Sequence, residues 1–224
     1  MKKYSYFLLF TFLFTIGCVD KKVELPQIAL EGIPQIHNHS SIWVFYEVKN
    51  QDTIAVLNKN NKILNTHWIF NIDKRLTMKA VVPVLEKMQK IKNKDSMHKK
   101  EGMLNYFSYS DVKSKQISVL SFNPTIFVFT EEEQEKRIEN IFASKIIRVD
   151  IQNKVLYLNG KKVSDQALLS QKITAMRVKD SLSTLKVMLK YSANTSYQDY
   201  LKTKVFLNST QIQTDVTEYI YSLK

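Results

Sequence analysis

A single cysteine near the amino terminus is the feature that most constrains this chain. Among its 224 residues only Cys18 is a cysteine, and it directly follows an apolar run. No disulfide can form within the chain, and thiolate metal sites and thiol catalysis are excluded beyond residue 18. The remainder must fold by burying an apolar core, and its length suffices for one large domain or two small ones.

Residues 1–17 have the order of a secretory signal peptide. Lys2 and Lys3 precede the apolar run Tyr4–Ile16, and small residues follow before the chain becomes polar. As a helix this run would span about 20 Å, whereas the hydrocarbon core of a bilayer is ~30 Å thick. We therefore expect a cleaved signal peptide rather than a membrane-spanning segment.

The residues around the expected cleavage site read Thr15-Ile16-Gly17-Cys18. They resemble the lipobox of bacterial lipoproteins, although Thr15 replaces the usual aliphatic residue. The resemblance implies that Cys18 is lipidated and that the protein is a lipid-anchored membrane protein of the cell envelope. The outer membrane, on its periplasmic or surface face, is the expected location. Ordinary secretion with an incidental cysteine and an uncleaved signal anchor are the alternatives.

The charge of the chain bears on its partners. Its formal net charge is +12. In an exported protein such charge favours anionic lipid, lipopolysaccharide or cell-wall polymer over nucleic acid. The lysines are spread along the chain, which is typical of a solvated lysine-rich surface. We therefore expect the membrane and an envelope protein or cell-wall polymer as partners, and no nucleic acid.

The first half of the chain divides into a tether and a folded unit. Residues 18–39 are polar and contain two prolines, which predicts a lipidated amino terminus and tether. Residues 40–130 predict a first unit that begins with a meander of antiparallel strands over residues 41–72. A helix follows, which either begins near Val82 or starts at Thr77 and is kinked at Pro83. Three further strands close this unit.

The second half predicts a helical connector and a second unit. Three consecutive glutamates open residues 131–144, and acidic residues favour a helix amino terminus. Residues 145–224 then alternate hairpin, helix, strand, helix and strand. The predicted fold class is α+β, with antiparallel or mixed sheets, helices on one face and two small units.

The order of sequence motifs in the second unit resembles that of a known family. Tyr157–Val163 reads Tyr-Leu-Asn-Gly-Lys-Lys-Val, a strand follows at Leu185–Leu189, and Ser192–Ser196 leads into a helix that begins at Tyr197. Over residues 145–222 this order resembles the periplasmic domain of the ExbD/TolR family. The resemblance implies a small βα module that dimerises or docks onto envelope or cell-wall partners.

The chain also departs from that family. Its members reach the membrane through an amino-terminal transmembrane helix whose aspartate serves a proton-driven motor, and this sequence contains no such helix. Nothing of the motor role is therefore expected. The first unit also has strands before and after a helix, which would fit a degraded duplication of one unit. The two units, however, share no recognisable sequence motif.

Four aromatic residues form the candidate binding surface. Trp43 and Phe45 are two residues apart, as are Trp68 and Phe70, so each pair occupies one face of its strand. If the strands are neighbours, the pairs would form an aromatic layer. That layer is interpreted either as core beneath the helix or as an exposed platform that stacks sugar rings or grips a partner.

Other candidate chemistry is weaker. His37 and His39 share one side of an extended segment, where His67 or His98 could add a third metal ligand, but no acidic ligand has a recognisable spacing. We interpret these histidines as solvent-facing and expect no metal or cofactor. Asp73 is interpreted, like other carboxylates of the first unit, as a solvated surface group.

No motif for catalysis is recognisable. The chain has four glycines and neither a Gly-x-Ser-x-Gly sequence nor a glycine-rich phosphate loop. We therefore expect a non-enzymatic interaction module of the envelope. A binder of anionic cell-wall glycan or lipid is the alternative, and an enzyme of unknown class is the second alternative.

Overall fold

The computed structural model describes residues 21–58, 62–93, 102–122, 124–139, 146–152, 154–179, 186–210, 212 and 214–221. These residues contain twelve strands and four helices, whose bounds are β1 Gln27–Ile28, β2 His39–Lys49, β3 Asp52–Leu57, β4 His67–Ile72, α1 Met78–Asn93, β5 Asn105–Asp111, β6 Gln116–Phe122, β7 Ile126–Val128, α2 Glu131–Glu139, β8 Ile146–Gln152, β9 Val155–Leu158, β10 Lys161–Val163, α3 Gln166–Lys179, β11 Lys186–Ser192, α4 Tyr197–Ser209 and β12 Thr214–Tyr221. The strands form two mixed sheets, which confirms the α+β class and the two sheet units.

The first sheet has the strand order β3-β2-β4-β5-β6, and β1 pairs with the carboxyl end of β5. β2, β4 and β5 run parallel to one another, while β3 and β6 are antiparallel to their neighbours. The antiparallel meander expected over residues 41–72 is therefore wrong. β3 returns the chain only as far as the middle of β2, where Leu57 pairs with Val44. β4 then lies on the other edge of β2 and runs parallel to it from His39 onward.

The second sheet has the strand order β10-β9-β8-β11-β12-β7. Its centre is parallel from β8 to β7, and the hairpins of β8, β9 and β10 are antiparallel. β7 lies within the predicted first unit but pairs with Thr217–Tyr219 of β12. The expected boundary at residue 130 is thus wrong for this strand, whose Phe127 and Val128 are buried with the second sheet.

The two sheets share a common topology. In each, a hairpin (β2–β3 or β8–β9) is followed by a strand parallel to its first member, a helix, and another parallel strand. The resulting orders β3-β2-β4-β5 and β9-β8-β11-β12 correspond strand for strand. β10 and α3 are additions in the second unit, and β6 and β7 extend the two sheets at their last strands. The chain is therefore built from two units of one design.

The helices begin as local sequence predicts and cover both units. α1 starts after Thr77 and contains Pro83, while Ser196 caps α4 by accepting a hydrogen bond of 3.1 Å from the Asp199 amide. α4 packs on the inner face of the second sheet. α2 lies on the opposite face, where its Gln134 contacts Met188, so helices occupy both faces of this sheet.

A continuous apolar core joins the two units. Phe107 of the first sheet stacks on Phe122 with ring centres 3.7 Å apart, and its ring also contacts Tyr197 and Tyr200 of α4 edge to face. The first sheet is therefore packed against a helix of the second unit. Across the described ranges, the helices are all too short or too polar to cross a membrane.

Candidate functional site

Two turns join the units of the molecule. Each follows a central parallel strand and leads into a helix, β4 into α1 and β11 into α4. Thr77 and Ser196, the last residues of these turns, form an isolated antiparallel bridge. The Met78 amide donates to the Thr195 carbonyl at 2.9 Å, and the Tyr197 amide donates to the Leu76 carbonyl at 2.8 Å. The turns are thus hydrogen-bonded to each other in both directions.

A second reciprocal pair of bonds extends this contact. The Lys79 amide donates to the Ala193 carbonyl at 2.8 Å, and the Gln198 amide donates to the Lys74 carbonyl at 3.4 Å. The two bonds of each pair join equivalent positions of the two turns, so exchanging the turns leaves the bonding pattern unchanged. Such self-complementary pairing is the geometry of a two-fold dimer interface. Within a single chain it relates the two units by an approximate two-fold axis between the turns.

The axis generates two equivalent grooves, one of which is filled by the amino-terminal segment. We define the filled groove by Lys74, Tyr109 and Gln198, between the first turn, β5 and α4. The side-chain amide of Gln198 accepts from the Gln27 amide at 2.8 Å and donates to the Gln27 carbonyl at 2.9 Å. The Ser110 amide donates to the Pro26 carbonyl at 2.8 Å. Residues of the expected tether are therefore bound to the folded body.

The side chains of this segment complete the filled groove. Pro26 and Ile28 are buried, and Ile28 belongs to the common core. At Gly32 an added Cβ atom would lie 2.2 Å from the Tyr109 hydroxyl oxygen, so the backbone passes directly over that ring. The prediction of a tether over residues 18–39 is wrong for this part of the segment, because alternate apolar residues find a place in the groove.

The equivalent groove on the other side of the axis is open. We define the open groove by Lys79, Val82, Ala193 and Ile220, between α1, the second turn and β12. It contains a cavity of about 320 Å³. Phe129, a residue that is 54% exposed, stands at its rim together with Pro83. In the described part of the chain no segment occupies this groove as residues 24–32 occupy the filled one.

Asp73 fastens the filled groove to the amino-terminal segment. Its carboxylate accepts from the Arg75 guanidinium at 2.7 and 2.9 Å and from the Glu24 amide at 3.1 Å. Burial opposes its ionisation, but these bonds from Arg75 and Glu24 hold its pKa below the ordinary value. Interpreting Asp73 as a solvated surface group is wrong, since its side chain is fully buried and is stabilised by paired donors.

A buried polar cluster lies beneath α4. Lys204 pairs with Glu218 at 2.6 Å, and the hydroxyls of Tyr191 and Tyr200 also donate to the Glu218 carboxylate. Burial, reinforced by the nearby Glu218 charge, raises the pKa of both tyrosines well above the ordinary value. Lys204 reaches a cleft of about 280 Å³ between β6 and β12. The Lys204 ammonium that lines this cleft is paired with the Glu218 carboxylate.

The four aromatic residues of the candidate binding surface do not form one layer. Their strands are neighbours, but Ile42 pairs with Phe70 and Trp43 with Asn71. Trp43 and Phe45 therefore lie on the opposite face of the sheet from Trp68 and Phe70. Trp68 and Phe70 are fully buried in the core, whereas Trp43 is 36% exposed and Phe45 is half-buried. Only Trp43 and Phe45 remain as a surface pair.

The remaining candidate residues are dispersed. Cys18 and His98 lie outside the described residues. His39 and His67 are register partners on β2 and β4, but each ring nitrogen Nδ1 is engaged with backbone, by the Ile36 carbonyl and the Leu104 amide respectively. His37 is exposed. The described ranges contain no group of three or more acidic, histidine or cysteine side chains placed to hold a metal ion.

Comparison with known proteins returned no relative. Neither a family model, nor a curated protein, nor a solved structure matches the chain. The arrangement of the two turns and the two grooves is therefore interpreted from its own geometry.

The paired grooves were missed by sequence reasoning. The turns Asp73–Leu76 and Ser192–Thr195 share no residue, yet each places a side-chain acceptor first, which binds the amide two residues later. Each turn also follows an apolar strand and precedes a helix at the same distance. The signal in the sequence for the paired turns was this shared spacing of strand, turn and helix, rather than a shared sequence motif.

Proposed function

We propose that this chain is a lipid-anchored envelope protein that acts by binding another protein close to the membrane surface, without catalysing a reaction. The observation that carries the proposal is the binding of residues Glu24–Ile28 to the filled groove. Only five residues lie between Cys18 and Glu24, so the six Cα–Cα steps that join them span about 20 Å when fully extended. A lipid on Cys18 would hold the body at the membrane surface rather than on a long flexible tether.

The end of the molecule nearest the anchor is polar and charged. Lys21 forms an ion pair with Glu47, and Glu24 pairs with Lys74 at 3.2 Å and with Arg75 at 2.9 Å. The Arg75 guanidinium also lies over the Tyr46 ring at 4.6 Å. These pairs join the amino-terminal segment to β2 and to the first turn at this end of the molecule.

The lipid anchor is tested by metabolic labelling with a fatty-acid analogue. The wild-type chain should take up the label and Cys18→Ser should not. Retention of label by Cys18→Ser would contradict the anchor. Partner binding is tested separately by crosslinking in intact cells, where a stoichiometric protein adduct that survives high salt is the expected result.

Binding of an anionic glycan is the second candidate, and the exposed Trp43 beside the half-buried Phe45 favours it. Aromatic side chains on an exposed sheet face can stack on sugar rings. Salt-sensitive retention of the chain on cell-wall material that is lost in Trp43→Ala, with no protein adduct, would favour this function over the first.

A further inference from the structure

The open groove has the same framework as the filled groove but a different occupancy. Lys79 of α1 corresponds to Gln198 of α4, and Ala193 of the second turn corresponds to Lys74 of the first, because each pair makes the reciprocal bonds between the turns. Phe107 of β5 and Glu218 of β12 occupy equivalent positions in register with β4 and β11, respectively. Tyr109 and Ile220 lie two residues further along these strands, so they line the two grooves at equivalent positions.

We infer that the open groove is a docking site for a short apolar peptide segment of a partner protein. The filled groove shows what such a framework accepts, since it binds an extended segment through the buried side chains of Pro26 and Ile28. The open groove is the more apolar of the two. Its side chains are Met78, Val82, Pro83, Phe129, Ala193 and Ile220, with Lys79 and Asn194 as its polar members.

The two grooves differ in how they can hold the backbone of an occupant. In the first unit β4 leaves β5 early, so β1 pairs with the freed edge at Ser110 and Asp111. In the second unit β11 stays with β12 to its end, and the Ala193 amide donates to the Tyr221 carbonyl at 2.7 Å. A partner segment would therefore be held mainly by apolar side-chain contacts.

The rim adds a charge preference to the apolar floor. Lys79 is exposed, and among the described residues it makes no ion pair. A partner segment with a carboxylate next to its aliphatic residues would place that carboxylate near Lys79. The segment Val23–Ala29 of this chain has such a composition, with Glu24 preceding Pro26 and Ile28. This composition makes it a suitable probe.

The test is a binding titration of the purified full chain with a fluorescent peptide of the sequence of residues 23–29, followed by anisotropy. We expect saturable binding with a Kd below about 1 mM. Phe129→Ala removes an exposed rim contact, and Pro83→Glu places a carboxylate in the wall while improving helix propensity. Each should weaken binding about fivefold to tenfold. Ile117→Ala, an equally exposed apolar residue away from the groove, should leave binding unchanged.

Two results would overturn the inference. The first is the absence of saturable binding, or binding that neither variant weakens. The second is binding that Gln198→Ala abolishes while Phe129→Ala does not, because the peptide would then compete for the filled groove.

This inference rests on the proposed function, but the two can fail separately. A cellular protein adduct that persists undiminished in Phe129→Ala would leave the proposed function standing and contradict the docking site. Peptide binding that depends on Phe129, together with failure to find any protein adduct, would contradict the proposed function and leave the docking site standing.

Discussion

Leu85 and Phe107 in the first unit occupy the positions that Lys204 and Glu218 occupy in the second. Each helical residue is at the same distance from the start of its helix, and each strand residue pairs with the corresponding neighbour. The first pair belongs to the apolar core, while the second is an ion pair that also binds two tyrosine hydroxyls. The same backbone arrangement can therefore bury either an apolar pair or an ion pair, provided that every buried polar group has a hydrogen-bond partner.

The grooves extend this comparison from the core to the surface. On the side of the filled groove the chain supplies its own occupant, and on the side of the open groove an apolar floor remains uncovered by the described residues. We propose that the first unit provides attachment to the lipid anchor and that the second unit provides the site for a partner.

The largest effect is expected at the buried ion pair. Glu218→Ala leaves the Lys204 ammonium and two tyrosine hydroxyls without their acceptor, and should lower the free energy of unfolding by about 3–5 kcal/mol. Glu218→Gln keeps an acceptor and should cost less. Urea denaturation measures both. Equal losses for the two variants would contradict the assignment of stabilising tyrosine hydrogen bonds to the acceptor that glutamine retains.

Asp73 and Ser192 begin the two turns and offer a matched pair. Asp73→Asn removes charged hydrogen bonds from Arg75, and should lower the free energy of unfolding by roughly 1.5–3 kcal/mol at neutral pH. Ser192→Ala, which removes a single neutral bond, should cost about 0.5–1.5 kcal/mol. Both are measured by denaturation at pH 7.

The same pair predicts a pH dependence. The pKa of Asp73 is lower in the folded state than its ordinary value of 3.8. Between the two values unfolding takes up a proton, so the free energy of unfolding decreases as the pH is lowered through this range. The advantage of the wild type over Asp73→Asn should be full above about pH 5 and should shrink as the pH falls below 3.8. A constant difference from pH 7 to pH 2 would contradict the ion pair.

Gly32 tests whether the segment lies over Tyr109 as described. An alanine Cβ would lie 2.2 Å from the Tyr109 hydroxyl oxygen, and Tyr109 is buried, so Gly32→Ala should lower the free energy of unfolding by about 1–3 kcal/mol. Tyr109→Phe in the same chain removes that oxygen and should recover part of the loss. Glu31→Ala, at an exposed neighbour, serves as the reference. Gly32→Ala with wild-type stability would place the segment elsewhere.

The smallest effect compares Gln198 with its counterpart Lys79. Gln198→Ala removes the two bonds to the Gln27 backbone, which are partly exposed, and should cost about 1 kcal/mol. It should also speed proteolysis within residues 24–33. Lys79→Ala should change stability by less than about 0.5 kcal/mol. If the two substitutions were equivalent in both measurements, the grooves would not differ in occupancy.

Much of the fold follows from sequence, whereas the grooves do not. Alternation in segments such as Ser41–Lys49 and Lys145–Ile151 predicts strands, and helical spacing predicts α1 and α4. Strand direction is not contained in that alternation, so the parallel pairing of β2 with β4 was mistaken for a meander. The faces of Trp43 and Trp68 depend on interstrand register, which neither strand specifies alone. The burial of Ile28 depends on a groove formed by residues far along the chain.

The reciprocal pairing of the two turns is the central claim, and a disulfide tests it most directly. Thr77 and Ser196 face each other as a pair flanked by the two inter-turn bonds, where Cα atoms lie about 4.5 Å apart. That separation suits a disulfide. In a Cys18→Ser background the chain has no other thiol, so Thr77→Cys with Ser196→Cys gives an unambiguous reporter.

Mild oxidation of this variant at low protein concentration should produce an intramolecular disulfide. A faster band on a non-reducing gel and a mass lower by two hydrogens would show it. Val48→Cys with Ser196→Cys, which places a thiol at an exposed position on β2, is the reference and should not close as readily. Free thiols or only intermolecular disulfides in the Thr77 and Ser196 variant would contradict the pairing of the two units.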